Sequence, residues 1–427
     1  MKNRTRRTAF LLFGLAFLGY VFPLAYNMLV TPFFHTIPSQ DVVSASLIPS
    51  SVLTRGNFYL DQYRTYIARN YPEPYFVDEQ NQHLVSRYPV TAGVLALPFV
   101  GWGLGTGWIA RTVNVFDAAK VSAAFITALA IVAFFFCARE LTDLSTSRLV
   151  TIAFAFGSSV WATASQGLWQ HTPSILFQAL AFWFLLRDTE GGGWKTLAPA
   201  GLFLSLATIA RPPVLVIALV FSLFVLFYRR NAFLPFVLFA LPPLILALIY
   251  NFLINGSPFV FGYQEGAAQI FAFPRWEAIQ GLLFSSGRGL FVYSPFLLLI
   301  PVGIWYGWRQ PQRFFYIFLA LAFVAYTGIM AAWGSLGGWA YGSRMLTDTL
   351  PAACLLIIPA IEKIHGKWRG ALWGVVLLAA GVQSLGLWDY GVRFHADPAN
   401  SVWSIENNEP LFYLKTYISM LVDNLGN

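Results

Sequence analysis

The residues of this chain placed to do chemistry are a few carboxylates and arginines and one of its five histidines, flanking long apolar runs. Asp41 follows Pro38-Ser39-Gln40 and precedes Val42-Val43-Ser44-Ala45-Ser46-Leu47-Ile48-Pro49, which reads as a short helix with the acid in its first turn. A carboxylate there either caps backbone N–H groups or acts as a general base, kept reactive by partial desolvation at a membrane surface. Asp61 is the second candidate base. Arg64, three residues on, is either its ion-pair partner or a contact for substrate. Arg87 and Tyr88, in His83-Leu84-Val85-Ser86-Arg87-Tyr88-Pro89, stand directly before a further apolar stretch; Arg87 either snorkels to a headgroup or meets a phosphate. Trp169 and His171 lie in Ser165-Gln166-Gly167-Leu168-Trp169-Gln170-His171-Thr172-Pro173, where the histidine is either a satisfied structural group or a donor to a phosphate or sugar oxygen. In Ser285-Ser286-Gly287-Arg288-Gly289 the glycines let backbone approach a ligand beside a cation, or simply make a turn. Arg344, behind Trp339-Ala340-Tyr341-Gly342-Ser343, opens an apolar run, a costly position unless the charge is paired or functional. Asp348, one turn later, is the expected structural partner.

Those residues need a scaffold, and the composition says which kind. The 427 residues are 57% hydrophobic and only 11% charged, well above the usual apolar share of roughly 45–50% for a globular protein. Runs of about 17 to 22 apolar residues, each long enough to cross a hydrocarbon core of roughly 30 Å as a helix, recur from Phe10 to Trp388. The chain is therefore expected to be an all-α polytopic membrane protein in a lipid bilayer. The expected spans are 9–30, 121–137, 147–164, 172–186, 196–210, 213–228, 232–254, 290–307, 314–333, 347–362 and 370–388, about eleven in all. The first, behind Lys2, Arg4, Arg6 and Arg7, is long for a leader and is read as a retained span.

Charge orients the bundle. Placing the N-terminus in the cytoplasm puts fifteen Lys and Arg but only five acids in the gaps on that side, leaving twelve bases and fourteen acids opposite; this satisfies the positive-inside rule. Residues 90–110 are apolar but interrupted by Pro98 and four glycines from Gly101 to Gly107 plus Gly93. Were they to cross, the later basic clusters would face outward, so a non-crossing juxtamembrane helix with a re-entrant or surface segment is expected. Cytoplasmic gaps are short. Function is thus expected in the long opposite loops: 31–120, 165–171, 255–289, 334–348 and an amphipathic tail, 392–427, beyond a membrane domain of 1–391. Cys137 and Cys354 sit in or beside apolar runs without partners at ligand spacing, no metal site is assigned, and no basic surface for nucleic acid is evident.

Asp41 soon after the first span, Ser86-Arg87-Tyr88-Pro89, Leu168-Trp169-Gln170-His171, Tyr250-Asn251 with Gly256-Ser257-Pro258 and Gly262-Tyr263, and Gly342-Ser343-Arg344 together carry a resemblance. The chain resembles the bacterial membrane-embedded glycosyltransferases of the GT-C class, family 39-like, that use polyprenyl-phosphate-linked sugars. The resemblance implies a catalytic Asp41 in a large first extracytoplasmic loop with juxtamembrane helices, an inner-membrane location and inversion at the anomeric carbon. It implies phosphate binding by Arg87, Arg288, Arg344 or His171 and sugar contacts by Trp169, Tyr263, Trp339 and Tyr341. The donor would be a polyprenyl-phosphate sugar and the acceptor a glycan, lipid or protein. Where many relatives have an acidic pair, this chain has Gln40-Asp41-Val42, which leaves open a need for divalent metal and keeps Asp61 as a candidate. The alternative class is a transporter or flippase of lipid-linked sugars, which ordinarily holds its ionisable groups near the bilayer midplane.

Overall fold

The computed structural model describes all residues except 1, 31, 33, 35, 111, 188–192, 260–272, 334–335, 337–339, 389–393, 395–401 and 426–427. Tyr263 and Trp339 lie outside the described residues. The chain is mostly helical, and among the described residues six helices are long and apolar enough to cross a membrane by length and composition: 3–29, 114–141, 230–255, 313–332, 344–361 and 367–387. Shorter apolar helices stand at 91–105, 144–156, 194–210, 212–228 and 295–307. The chain is a multi-pass membrane protein: large apolar side chains such as Phe10, Leu18, Phe227, Leu246 and Leu377 face outward in numbers that water would not tolerate, and lipid satisfies them.

Helix α1 (Lys2–Leu29) packs along α5 (Thr112–Leu141), with Phe13 edge-on to Phe125 at 5.4 Å between centroids. Tyr20 ties α1 to α6 (Leu144–Phe156) by donating its hydroxyl to the Ala155 carbonyl at 2.9 Å. Behind them come α7 (His171–Arg187), α8 (Trp194–Ala210), α9 (Leu215–Tyr228) and α10 (Phe233–Asn255), with α5 against α7, α7 against α8 and α8 against α10. Small residues set the closest approaches. A Cβ on Gly201 of α8 would stand 2.0 Å from the Phe236 carbonyl oxygen on α10, a contact that membrane helices exploit because packing, and not hydrophobicity, holds them together.

Residues 40–110 fold against α5. A 3₁₀ turn at Gln40–Val42 leads into α2 (Val43–Arg55); a second turn at Asp61–Tyr63 leads into α3 (Arg64–Asn70). Strands β1 (Val77–Gln80) and β2 (His83–Ser86) then pair antiparallel, and α4 (Thr91–Gly105) returns along α2. The hairpin is an exception to the all-helical expectation. Its two-residue turn, Asn81-Gln82, has φ of 51° and 68°, the left-handed pair that a tight twisted hairpin demands. Val43, Leu47, Leu60, Ile67, Phe76 and Leu84 share a core with Phe116 of α5. Helix α4 is fifteen residues long, roughly 22 Å at 1.5 Å per residue, shorter than a hydrocarbon core.

Several expected elements differ. Helix α5 begins at Thr112, so Lys120 is not the end of the first loop but a fully buried residue inside the helix, one turn beyond Asp117; buried Val115, Phe116, Ala118 and Ala119 make the extra turns worth forming. The run 147–164 stops being α-helical at Phe156 and resumes as a π-helical turn at Val160–Ala164 after Gly157-Ser158. The run 290–307 breaks at Ser294-Pro295, where proline has no N–H to give: α12 (Leu290–Tyr293) follows α11 (Trp276–Phe284), and a 3₁₀ turn leads to α13 (Ile300–Gly307). After α14 (Arg313–Ala332), Pro351 and Pro359 divide residues 344–361 into a 3₁₀ turn at Arg344–Thr349, α15 (Leu350–Leu356) and α16 (Ile358–Ile361). Helix α17 (Lys367–Ser384) closes the bundle, and the tail contains α18 (Glu409–Leu425).

Candidate functional site

Asp41 lies in the 3₁₀ turn before α2, presented by Ser39, whose hydroxyl accepts the Asp41 N–H at 3.4 Å. Its side chain is 17% exposed and does not cap the helix. Instead Oδ1 accepts the Tyr88 hydroxyl at 2.7 Å, and Oδ2 receives Nη1 of Arg344, 303 residues along the chain. Tyr75, which touches the Ser39 hydroxyl at 3.5 Å, stands near the same carboxylate. Burial pushes the Asp41 pKa up, but the Arg344 charge, the hydrogen bonds from Tyr88 and Arg344 and the nearby Tyr75 hydroxyl outweigh it, so it sits below the usual 3.8. Tyr75 is driven the other way, to about 12, by burial and then by the Asp41 charge.

Arg344 is 13% exposed and stacks its guanidinium over Trp169, Cζ lying 4.8 Å from the ring centroid, a cation–π contact. Asp348 is not its partner, contrary to the sequence expectation. Residues 344–349 form a 3₁₀ turn of three residues per turn, so the two side chains diverge, and Asp348 points inward. There Asp348 is fully buried and gathers three groups: Nδ1 of His171 at 2.7 Å, the Tyr326 hydroxyl at 2.7 Å and Nε of Arg211 at 3.4 Å. Arg211 also donates to Gln170 Oε1 at 3.2 Å. The charges of Arg344 and Arg211 both act on the His171 ring, and Trp169 and His171 have centroids 6.3 Å apart. The Asp41–Arg344 pair and the Asp348–His171–Arg211 cluster are therefore neighbours, built from the 3₁₀ turn at 344–349, the start of α7, the α8–α9 junction and the first loop.

Three buried donors in this region have no hydrogen-bond partner among the described residues: Nε of Arg344, Nε1 of Trp169 and the Ser343 hydroxyl. Buried polar groups normally find partners, ordered water among them, so these three donors have hydrogen-bonding capacity left for water or an anion. The donor set suits an anion. A divalent cation asks for several oxygen ligands, whereas Asp41 is a single carboxylate already facing a guanidinium; the residues present do not fit a metal. Among the described residues no group of three or more His, Cys, Asp and Glu gathers to hold one.

The remaining sequence candidates fall elsewhere. Asp61 accepts from the Leu84 N–H at 2.8 Å and faces His83 Nδ1 at 2.6 Å and Arg64 at 3.4 Å, all at the surface of the hairpin unit. Burial raises its pKa, but Leu84, His83 and Arg64 together bring it below the usual value. Arg64 also reaches Glu79 at 3.3 Å. Arg87 pairs with Asp78 across the β1–β2 hairpin, with Nε 3.0 Å from Oδ2, one residue before Tyr88. Arg288 is 1% exposed and faces Glu409 of α18 at 3.3 Å, and Tyr341 packs against Tyr293 and Tyr413. Sequence reasoning missed Tyr75, Gln170 and Arg211. Arg211 carried a signal, being a lone cation before Pro212-Pro213 in a gap too short for a loop; Tyr75 carried none. Compared with models of known protein families and with curated proteins, the chain matches none of them.

Proposed function

We propose that this protein is an inverting glycosyltransferase of GT-C-like architecture, with about eleven transmembrane helices and an extracytoplasmic site in the inner membrane, moving a sugar from a polyprenyl-phosphate donor to an acceptor hydroxyl. The observation that carries the reading is the pairing of Asp41 with Arg344 beside three unpartnered buried donors: a base and an anion receptor sharing one place. In the resting site Arg344 neutralises Asp41. Donor phosphate gives that guanidinium a second anion, and Arg344 Nε, Trp169 Nε1 and the Ser343 hydroxyl supply its hydrogen bonds. Relieved of part of its counter-charge, Asp41 becomes the better base. The acceptor hydroxyl attacks the anomeric carbon opposite the phosphate, its proton passes to Asp41, and the bond between that carbon and the phosphate oxygen breaks, leaving polyprenyl phosphate held by the cations. Tyr88 and Tyr75 aim the carboxylate. Asp348 holds His171 and Arg211 in place and balances the charge of Arg211.

The test is direct. Purified protein in lipid nanodiscs, given a panel of polyprenyl-monophosphate sugars and an envelope lipid and glycan extract as acceptor, is expected to release polyprenyl phosphate and to form a product of inverted anomeric configuration. Movement of donor between leaflets with no release of polyprenyl phosphate would instead identify a flippase.

A further inference from the structure

The tail helix reaches the candidate site through one carboxylate. Glu409, the first residue of α18, is 1% exposed, and its Oε2 accepts the Gly342 N–H at 2.8 Å, the Tyr293 hydroxyl at 2.8 Å and Nη1 of Arg288 at 3.3 Å. Arg288 passes the grip on to the carbonyls of Ala340 and Gly342, the latter at 3.1 Å. Tyr341, between them, lies against the rings of Tyr293 and Tyr413, with centroids at 5.3 Å and 5.9 Å, and gives its hydroxyl to the Val382 carbonyl at 2.6 Å. Gly342 has φ of 69°, and a Cβ there would stand 2.9 Å from the Tyr293 ring, so no other residue fits the turn. Residues 340–342 are thus held by side chains from α12, by backbone of α17 and by α18. Ser343 and Arg344 follow at once.

We propose that Glu409 is a positioning residue: through the clamped turn at Gly342 it fixes where Ser343 and Arg344 meet Asp41 and the anion. The carboxylate satisfies the turn's N–H and neutralises Arg288, which satisfies the turn's carbonyls, so one group of the tail governs both sides of the peptide. The link to an anion rests on the function proposed above, whereas the clamp on the turn rests on hydrogen bonds alone.

The full-length protein in nanodiscs separates the two. Glu409→Gln keeps the shape and an acceptor oxygen but removes the charge, and amide hydrogen exchange over 340–349 is expected to rise about tenfold, the scale on which charge-assisted hydrogen bonds weaken to neutral ones, with 171–187 unchanged. Unaltered exchange at 340–349 overturns the clamp. Binding of polyprenyl monophosphate is expected to weaken about tenfold in Glu409→Gln, with no added loss when Glu409→Gln is combined with Arg344→Ala, because the first change acts through the second residue. Wild-type affinity in Glu409→Gln, or losses that add, overturn the positioning role. If the wild type binds no polyprenyl monophosphate while exchange still rises in the variant, the transferase reading fails and the clamp stands. Should Glu409→Gln not fold because Arg288 loses its counter-charge, Glu409→Asp keeps the charge, draws the oxygen back from Gly342, and is read by the same exchange measurement.

Discussion

At the scale of residues, the proposed function gives Asp41 and Arg344 opposite duties that one ion pair reconciles. A general base typically contributes about 10² to 10⁴ in rate, so Asp41→Asn is expected to reduce kcat by that factor while donor affinity and the folded fraction stay near wild type; a steady-state assay on the purified variant checks it. Arg344→Lys keeps a positive charge but loses the planar fork that meets Asp41 and covers Trp169. It is expected to weaken donor binding about tenfold or more, read from the KM for the polyprenyl-phosphate sugar. Acid stability follows from the pKa of Asp41, held below 3.8 in the folded protein against burial. A depressed carboxylate contributes stability above its unfolded value and loses it as pH falls through the folded value. Thermal unfolding at pH 5 and pH 3 is therefore expected to show a smaller acid loss in Asp41→Asn than in the wild type, the remainder coming from other depressed carboxylates such as Asp61. Asp41, Trp169, His171 and Arg344 were legible from residue type and place beside apolar runs. Their partners were not: Asp41 and Arg344 are 303 residues apart, and neither periodicity nor local spacing carries a contact of that range.

At the scale of elements, apolar runs marked a mostly helical chain but not where its helices break. Ser294-Pro295 and Pro351 end helical hydrogen bonding inside runs that hydropathy alone treats as continuous. The β1–β2 hairpin escaped because its four-residue strands, Val77–Gln80 and His83–Ser86, carry mixed polar residues and a turn, Asn81-Gln82, without glycine. That hairpin diverts Arg87 to Asp78. Helix contacts also rest on single glycines. Gly201→Val forces atoms against the Phe236 carbonyl, which a Cβ would approach to 2.0 Å, and is expected to cost about 1–3 kcal/mol or more, seen as a lower Tm in detergent. Gly14→Ala, with nothing within 4 Å of the added carbon, is expected to leave Tm unchanged or slightly raised.

At the scale of the molecule, the site draws together the first loop, the start of α7, the α8–α9 junction and the 344–349 turn, and the basic clusters at 2–7, 195, 229–230 and 363–369 predict which side it occupies. Both native cysteines are buried, so single introduced thiols report topology. Arg55→Cys in the first loop is expected to react in intact cells with a membrane-impermeant maleimide, and Lys367→Cys only after permeabilisation; the reverse pattern would put the site in the cytoplasm. The central claim is that one pocket holds a lipid phosphate against Arg344 with Asp41 beside it. Its most direct test is a cryo-electron-microscopy map of the protein in nanodiscs with polyprenyl monophosphate. The account predicts phosphate density against Arg344 Nε, the Ser343 hydroxyl and Trp169 Nε1, with the Asp41–Arg344 contact loosened. Phosphate density at the Arg87–Asp78 hairpin, or at the opposite end of the bundle, with the Asp41–Arg344 pair intact, would contradict it.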